Sequence, residues 1–136
     1  MTEKTFQLDI VTPKRIVFSA KVVSFSAPGV VGGFQILYNH APFLATIKIG
    51  QVKILDAEGK ELRYATSGGF VEVRDNKVIM LAETAERADE IDADRAKAAK
   101  ARAQQRVSER RADIDMERAR IALQRALNRL KVSENV

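Results

Sequence analysis

Residues 67–82 read SGGFVEVRDNKVIMLA, and this stretch decides how the chain divides. Val71 and Val73 alternate with other residues, and an unbroken apolar run follows at residues 78–81. Alternation of this kind is typical of a strand with one buried face. The glycines at the start and the DN pair in the middle are turn-forming residues. The stretch therefore predicts a turn, a strand, a second turn and a second strand.

Toward the amino terminus, alternating apolar runs recur at short intervals. They are residues 6–10 (FQLDI), then Val23, Phe25 and Ala27, then Ile47, Ile49, Val52 and Ile54, and then Leu62, Tyr64 and Thr66. The third run slips by one residue at Gly50-Gln51, where we expect a β-bulge. Turn-forming residues separate the runs. Many short strands at close spacing predict an antiparallel β-sandwich or flattened barrel over residues 1–85.

Toward the carboxyl terminus the chain changes character. It has seven glycines and three prolines, and none of them follows Gly69. A long stretch without either residue favours helix, and we predict helices over about 91–107 and about 114–131. One narrow apolar stripe on each helix and a short connection predict an antiparallel two-helix hairpin over residues 86–136. Because short helices depend on tertiary packing, we expect this arm to dock weakly and to move.

The composition excludes several classes of function. The chain contains no cysteine, which excludes disulfide bonds and thiolate chemistry. Its single histidine, His40, has no cluster of metal-ligating residues around it, so no metal is predicted. We recognise neither a secretory signal nor an apolar run of membrane-spanning length. The net charge of +5 favours an acidic protein surface, a nucleotide, an anionic lipid or a nucleic acid as partner.

Five segments, in this order and at these spacings, give the chain a family resemblance over essentially its whole length. They are residues 8–13 (LDIVTP), 39–43 (NHAPF), 67–73 (SGGFVEV), 85–88 (AERA) and 91–96 (IDADRA). Together they resemble the bacterial-type epsilon subunit of F-type ATP synthase. The resemblance implies a non-catalytic subunit of a proton-translocating enzyme, peripheral at the cytoplasmic face of the bacterial cell membrane.

The resemblance also implies partners and a regulatory role. The sandwich would bind the gamma subunit and sit on the ring of c subunits. The hairpin would switch between a compact state on the sandwich and an extended state that reaches into the alpha/beta catalytic head and impedes ATP hydrolysis. A weakly packed arm is what such a switch needs.

Charged residues of the predicted hairpin form a candidate anion site. Asp92, Arg95 and Arg102 can share one face of the first helix, and Arg125 and Arg129 are four residues apart on the second. In an antiparallel hairpin these arginines approach one another and would repel unless an anion lies between them. Arginine suits phosphate through its planar fork of donors. The alternative interpretation is a solvated, salt-bridged helix face.

The resemblance implies that the anion bound at this site is a nucleotide. Some bacterial epsilon subunits bind ATP through an Ile/Leu-Asp-x-x-Arg-Ala motif, which is similar to residues 91–96. By position, the implied ATP contacts are Glu86, Asp92, Arg95, Ala96, Arg102, Arg125 and Arg129. Carboxylates would hold the adenine amino group or the ribose, the small alanine would admit the base, and the arginines would bind the phosphates. Because the sequence has no GxxxxGK[ST] loop, ATP would be a sensed ligand and not a substrate.

A second set of residues is predicted to contact neighbouring subunits. His40 and Pro42 belong to the loop that resembles the family's His-x-Pro segment. Ser67, Gly68 and Gly69 predict a tight turn packed against gamma or against the sandwich, and Phe70 is expected in the core or at an interface. In the extended state, acidic surfaces of the catalytic subunits could meet Arg106, Arg110, Arg111, Arg118 and Arg120; the alternative role of these arginines is plain solubility.

Two competing functions are weaker. An Arg-rich hairpin could bind nucleic acid, but the arginines have no aromatic residues among them and share the hairpin with many acidic residues. A small enzyme with its site on the β-sandwich would need a catalytic constellation, and the sequence shows none.

Overall fold

The computed structural model describes residues 4–110 and 115–134, and it divides into two compact units between Arg87 and Ala88. Within the described residues the first unit contains nine strands, and the second contains a short 3-10 helix and two α-helices. The strands are β1 Phe6–Val11, β2 Ile16–Ala27, β3 Phe34–Ile36, β4 Phe43–Ile47, β5 Gly50–Asp56, β6 Glu61–Thr66, β7 Gly69–Arg74, β8 Lys77–Ala82 and β9 Ala85–Arg87. Strands followed by helices confirm the predicted fold class.

The strands pair in the order β4-β7-β8-β1-β2-β5-β6-β9, and β3 pairs with the second half of β2. β1 and β8 run parallel, whereas the other described pairs are antiparallel. This one pair departs from the predicted antiparallel arrangement. Tight turns fix the direction of strands adjacent in the sequence, but β1 and β8 are joined through the whole intervening sheet, so no turn sets their direction.

One face of each long strand contributes to a single apolar core. The fully buried side chains include Phe6, Leu8 and Ile10 of β1, Phe25 of β2, Ile54 of β5 and Met80 of β8. Strands far apart in the sheet order share this cluster, which requires the sheet to fold back on itself as in a sandwich. Burial of a side chain of this size stabilises the fold by roughly 1.5–3 kcal/mol relative to exposure.

The predicted alternation in β2 is wrong at one position. Val22 is buried and Val23 is only half-buried, although the sequence favoured Val23 as the inward residue. The pairing of β2 with β5 shifts register between Val22 and Ser24. A register shift moves one residue out of the alternation, so the inward series changes at this point.

The prediction of a β-bulge near Gly50 is also wrong. The chain turns there, since β4 ends at Ile47 and β5 begins at Gly50, and the two strands pair with different neighbours. A Cβ on Gly50 would lie 2.7 Å from Cγ of Pro28, which explains a glycine at this tight connection.

The second unit consists of the 3-10 helix Ala88–Glu90, α1 Ala93–Glu109 and α2 Met116–Glu134. Both predicted helices are confirmed, with boundaries displaced by a few residues. α1 begins at Ala93 because Asp92 is its N-cap, and the Asp92 carboxylate accepts the backbone N–H of Arg95 at 3.1 Å. Its C-cap, Arg110, has the left-handed φ of 52° that commonly ends a helix.

The two helices pack against one another through small residues. Four alanines are buried, and we call them the seam alanines: Ala96, Ala103, Ala119 and Ala126. Six residues connect α1 to α2, and such a short connection between packed helices gives antiparallel neighbours, as predicted.

Candidate functional site

Helix geometry brings the four predicted arginines to one side of the hairpin. Arg95, Arg102 and Arg125 each directly precede a seam alanine, so each is turned by about 100° from the seam in the same sense. Two antiparallel helices in contact are related by a twofold axis perpendicular to the plane that contains both helices. Residues turned from the seam in the same sense therefore lie on the same side of that plane, whichever helix they belong to. Arg129 comes to the same side because it follows Ala126 by three residues, a rotation of about 300°. We call these four residues the arginine cluster.

The arginine cluster presents its positive charge to solvent. Arg95, Arg102 and Arg125 are exposed, and Arg129 is half-buried. Among the residues that the structure describes, the guanidinium groups of Arg95 and Arg102 make no ion pair, whereas Arg125 and Arg129 interact with other groups of the protein. Exposed planar forks of donors on one side of a narrow hairpin can bind a polyanion such as a phosphate chain.

Asp92 has a structural function that the sequence did not reveal. As the N-cap of α1, it uses Oδ1 to satisfy one of the backbone N–H groups that a helix start leaves without an intrahelical partner. It lies four residues before Ala96, a rotation of about 400°, which places it on the same side as the arginine cluster. Its contact with a nucleotide stays a prediction.

Ala96 and Glu86 differ from the other predicted ATP contacts. Ala96 has no exposed surface, so a base could contact its methyl group only after the covering residues move. Glu86 belongs to β9 of the first unit, where it is the register partner of Ala65 in β6 and already interacts with other groups. The structure thus groups five of the seven predicted residues on one side of the hairpin.

The turn at Ser67, Gly68 and Gly69 is explained by packing within the sandwich. Gly69 has φ 152°, and a Cβ there would clash with the carbonyl oxygen of Leu81. Ser67 Oγ accepts a hydrogen bond of 2.7 Å from Thr84 Oγ1, which ties the turn to the segment before β9. Gly68 is buried, so the turn itself offers little surface to another subunit.

The connection between β3 and β4, residues 37–42, contains the predicted contact residues His40 and Pro42, and we call it the contact loop. The imidazole of His40 packs edge-on against Phe43, with 5.6 Å between ring centroids. Its Nδ1 lies 2.7 Å from the carbonyl oxygen of Ala41, and since a carbonyl can only accept, Nδ1 carries the proton. Leu37 and Tyr38 are about half exposed, and Pro42 is exposed. The loop therefore leaves apolar and aromatic surface exposed to solvent.

Apart from Phe70, which was expected in the core or at an interface, sequence reasoning missed an apolar surface on the outer face of the sandwich. The register partners Phe70, Leu81, Val11 and Ile16 form a continuous row across β7, β8, β1 and β2, which we call the outer apolar row. Phe70, Leu81 and Ile16 are 56%, 55% and 63% exposed. Contiguous exposed apolar residues mark interaction surfaces. The signal was present in the unbroken apolar run at residues 78–81, because alternation places Ile79 and Leu81 on the face opposite to the buried Val78 and Met80.

A polar network lies beside the outer apolar row. Asp9 Oδ1 accepts hydrogen bonds from Ser19 Oγ at 2.7 Å and from Gln7 Nε2 at 2.9 Å. The bond from Ser19, followed by that from Gln7, lowers the pKa of the Asp9 carboxyl, because both stabilise the carboxylate. Lys77 adds a weaker attraction from 3.8 Å.

The arginines near the hairpin tip are accessible. Arg106, Arg110, Arg118 and Arg120 are exposed, and Arg111 lies outside the described residues. Asp115 caps the start of α2 by accepting the backbone N–H of Arg118 at 3.1 Å. Contact between these arginines and acidic surfaces stays a prediction.

Within residues 4–110 and 115–134, no group of three or more metal-ligating side chains could hold a metal ion. In the same residues, no helix combines the length and the apolar character that a membrane crossing requires.

Two family models match the chain in succession. The model described as the beta-sandwich domain of the ATP synthase Delta/Epsilon chain matches residues 5–88. The model described as the long alpha-helix domain of the same chain matches residues 89–134. Together they account for nearly all of the sequence.

Curated relatives named ATP synthase epsilon chain are similar over almost their full length. The relative from Pelotomaculum thermopropionicum is 55% identical over 133 residues, which cover 98% of each chain. The relative from Desulforamulus reducens is 48% identical over 131 residues, which cover 96% of this chain and 98% of the relative.

Solved structures share the fold at low identity. A chain of the Euglena gracilis mitochondrial ATP synthase, solved as an OSCP/F1/c-ring assembly, has a TM-score of 0.78 and 20% identity, with coverage of 91% of this chain and 78% of that one. A chain of the Tetrahymena thermophila mitochondrial ATP synthase central stalk and c-ring has a TM-score of 0.60 and 16% identity, with coverage of 99% and 98%.

Proposed function

The chain belongs to the ATP synthase delta/epsilon chain family, and we propose that it couples the gamma subunit to the c-ring and regulates ATP hydrolysis through its helical hairpin. Family membership confirms the prediction of a non-catalytic subunit. It does not favour the nucleic-acid alternative. The expected setting is the central stalk of a proton-translocating F1Fo enzyme, peripheral at the cytoplasmic face of the bacterial membrane.

The outer apolar row and the contact loop support the rotor role. Both lie on the well-packed first unit, and both leave apolar or aromatic side chains in solvent. Burial of such surface drives protein association, and aromatic side chains carry much of the binding energy at interfaces. The solved assemblies that share the fold contain an F1 part or a central stalk together with a c-ring. We therefore assign gamma and the c-ring as partners of the sandwich.

The seam of the hairpin supports a regulatory switch. Its fully buried residues are alanines, apart from Val132, whereas larger apolar residues such as Leu123 and Leu130 are only half-buried. Burial of one methylene group stabilises a fold by about 0.8 kcal/mol, so each buried alanine methyl group of the seam contributes little to the packing of the two helices. A partner that binds one arrangement more tightly can therefore shift the hairpin between a compact and an extended state. The extended state would reach the alpha/beta head and impede hydrolysis.

The arginine cluster is the observation that carries the regulatory proposal. An arm that only filled space would gain nothing from four cations on one side, because like charges at this spacing repel. Bound ATP would neutralise the charge of Arg95 and Arg102, which make no ion pair among the described residues, and it would stabilise the compact state by its differential affinity for that state. ATP is then a regulatory ligand, and the residues identified require no metal.

The test is ATP hydrolysis by the α3β3γ complex of the same enzyme, with and without the full-length chain. We expect the full-length chain to bind and to lower the hydrolysis rate. A chain shortened after Arg87 should bind equally well and should not inhibit. Inhibition by the shortened chain would assign regulation to the sandwich and would contradict the proposal.

A further inference from the structure

Asn76 joins three segments of the first unit that are far apart in the sequence. Its Oδ1 accepts the backbone N–H of Asn39 at 2.7 Å, and its Nδ2 donates to the carbonyl oxygen of Thr5 at 2.9 Å. These partners are 37 and 71 residues away in the sequence. One amide group therefore ties the turn between β7 and β8 to the contact loop and to the start of β1.

The turn alone does not explain this asparagine. Asp75 and Asn76 have φ of 51° and 58°, and they connect the register partners Arg74 and Lys77. Such a two-residue hairpin requires positive φ at both positions, which glycine satisfies at least as well as asparagine. The side-chain amide is thus available for a second purpose, and both its oxygen and its nitrogen are engaged.

The segment that Asn76 holds is the exposed contact loop. Asn39 itself has a left-handed φ of 58°, a conformation that needs support from its surroundings. Asn76 supplies that support at Asn39. The next residue, His40, packs on Phe43, which in turn packs on Phe34 with 4.9 Å between centroids. The loop is therefore held by the amide of Asn76 and by edge-to-face contacts between aromatic rings.

We propose that Asn76 is a positioning residue for subunit binding, because it fixes the contact loop in the conformation that presents Tyr38 and His40 to the gamma subunit. The inference depends on the proposed function only for the identity of the partner. A loop that is already ordered before binding loses less conformational entropy in the complex, so the complex dissociates more slowly.

Two glycine variants separate this role from the requirement of the turn. Asn76→Gly keeps a residue that tolerates positive φ but removes both hydrogen bonds to distant segments. Asp75→Gly is the matched control at the neighbouring turn position, where the side chain makes an exposed ion pair of 3.7 Å with Arg74 and no other polar contact within the part of the chain that the structure describes. Circular dichroism and the thermal midpoint of both variants report whether the sandwich stays folded.

The first readout is amide hydrogen exchange at Asn39 in the full-length chain. Loss of one hydrogen bond of ordinary net strength raises exchange about fivefold. We expect this increase in Asn76→Gly and wild-type exchange in Asp75→Gly. Equal exchange at Asn39 in the two variants would overturn the positioning role.

A third variant assigns the effect to one hydrogen bond. Asn76→Asp keeps an oxygen that can accept the N–H of Asn39, but it replaces the donor to Thr5 with an acceptor. We expect it to retain protection at Asn39 and to lose protection where β1 begins. Loss of protection at Asn39 in this variant would contradict the assigned hydrogen bond.

The second readout is dissociation from the α3β3γ complex. Asn76→Gly should dissociate about fivefold to tenfold faster than wild type, and Asp75→Gly should not. If Asn76→Gly dissociates at the wild-type rate although its Asn39 amide exchanges faster, the role of Asn76 in binding would be overturned. The assigned hydrogen bonds would still be supported. A wild-type chain that does not bind α3β3γ would instead overturn the proposed function, and the exchange result would show this separately.

Discussion

The two units of the chain differ in the size of the side chains that hold them together. The sandwich buries large side chains such as Phe6, Leu8 and Met80 in one shared core, whereas the hairpin buries mainly the seam alanines. A large aliphatic or aromatic residue contributes roughly 1.5–3 kcal/mol on burial, and a methyl group contributes much less. The comparison teaches that the sandwich rests on a core of large side chains and the hairpin on small contacts, which is the difference that the proposed rotor contact and the proposed ligand-dependent arm require.

The largest expected effect tests the rigidity of the platform. Gly69→Ala should destabilise the sandwich by about 3 kcal/mol or more, because the new Cβ meets the carbonyl oxygen of Leu81 and φ is 152°. Gly59→Ala is the control, since φ is 85° there but no atom lies within 4 Å of the new Cβ. Urea unfolding of both variants measures the difference. Similar losses would show that the turn can relax and that the platform is softer than described.

The next effect tests the seam of the arm. Ala103→Leu should overpack the contact between the helices and destabilise the hairpin by about 1–3 kcal/mol. Ala101→Leu, at an exposed position of α1, should have little effect. Hydrogen exchange resolves the two units, and only α1 and α2 should exchange faster in the Ala103 variant. Equal exchange of the helices in the two variants would mean that the seam does not limit the arrangement of the hairpin.

The sequence predicted the two units because each has its own local signal. Alternation and turn residues mark the strands, and the absence of glycine and proline after Gly69 marks the helices. Features that depend on pairing between distant segments were not predictable, since nothing local encodes them. The parallel pairing of β1 with β8, the burial of Val22 and the reversal at Gly50 belong to this class.

The candidate site shows the same limit. The one-sided arrangement of the arginine cluster follows from helix spacing alone, so it could be predicted. The cap at Asp92, the complete burial of Ala96 and the outer apolar row depend on which residues meet in the folded chain. For the outer apolar row, the unbroken apolar run at residues 78–81 was the one indication in the sequence.

A smaller effect distinguishes the two possible functions of Asp92. Asp92→Ala should remove the cap and cost the hairpin about 1 kcal/mol, whereas Asp92→Asn should keep the cap and lose only the charge. Helix content and thermal unfolding report the cap, and ATP titration reports the charge. If the Asn variant loses as much helix stability as the Ala variant, capping is not the reason for this residue.

The smallest effect concerns the pH dependence of the platform. The pKa of Asp9 is lowered in the folded chain, so its carboxylate stabilises the sandwich at pH values above the unfolded pKa of about 4. This stabilisation is lost as the pH falls through the lower pKa of the folded state. Ser19→Ala removes the hydrogen bond that contributes most, and it should reduce the difference in urea midpoint between pH 6 and pH 3. An unchanged difference would contradict the assigned cause.

Calorimetric titration of the full-length chain with ATP, with and without Mg²⁺, tests most directly whether the arm carries the regulatory site. We expect the wild-type chain to bind, and Arg95→Ala to bind at least about tenfold more weakly, because a charge-assisted contact to phosphate is lost. Lys97→Ala is the control, since this exposed cation directly follows Ala96 and lies on the opposite side of the hairpin. Binding that is equal in all three chains, or absent from the wild type, would contradict an ATP site at the arginine cluster.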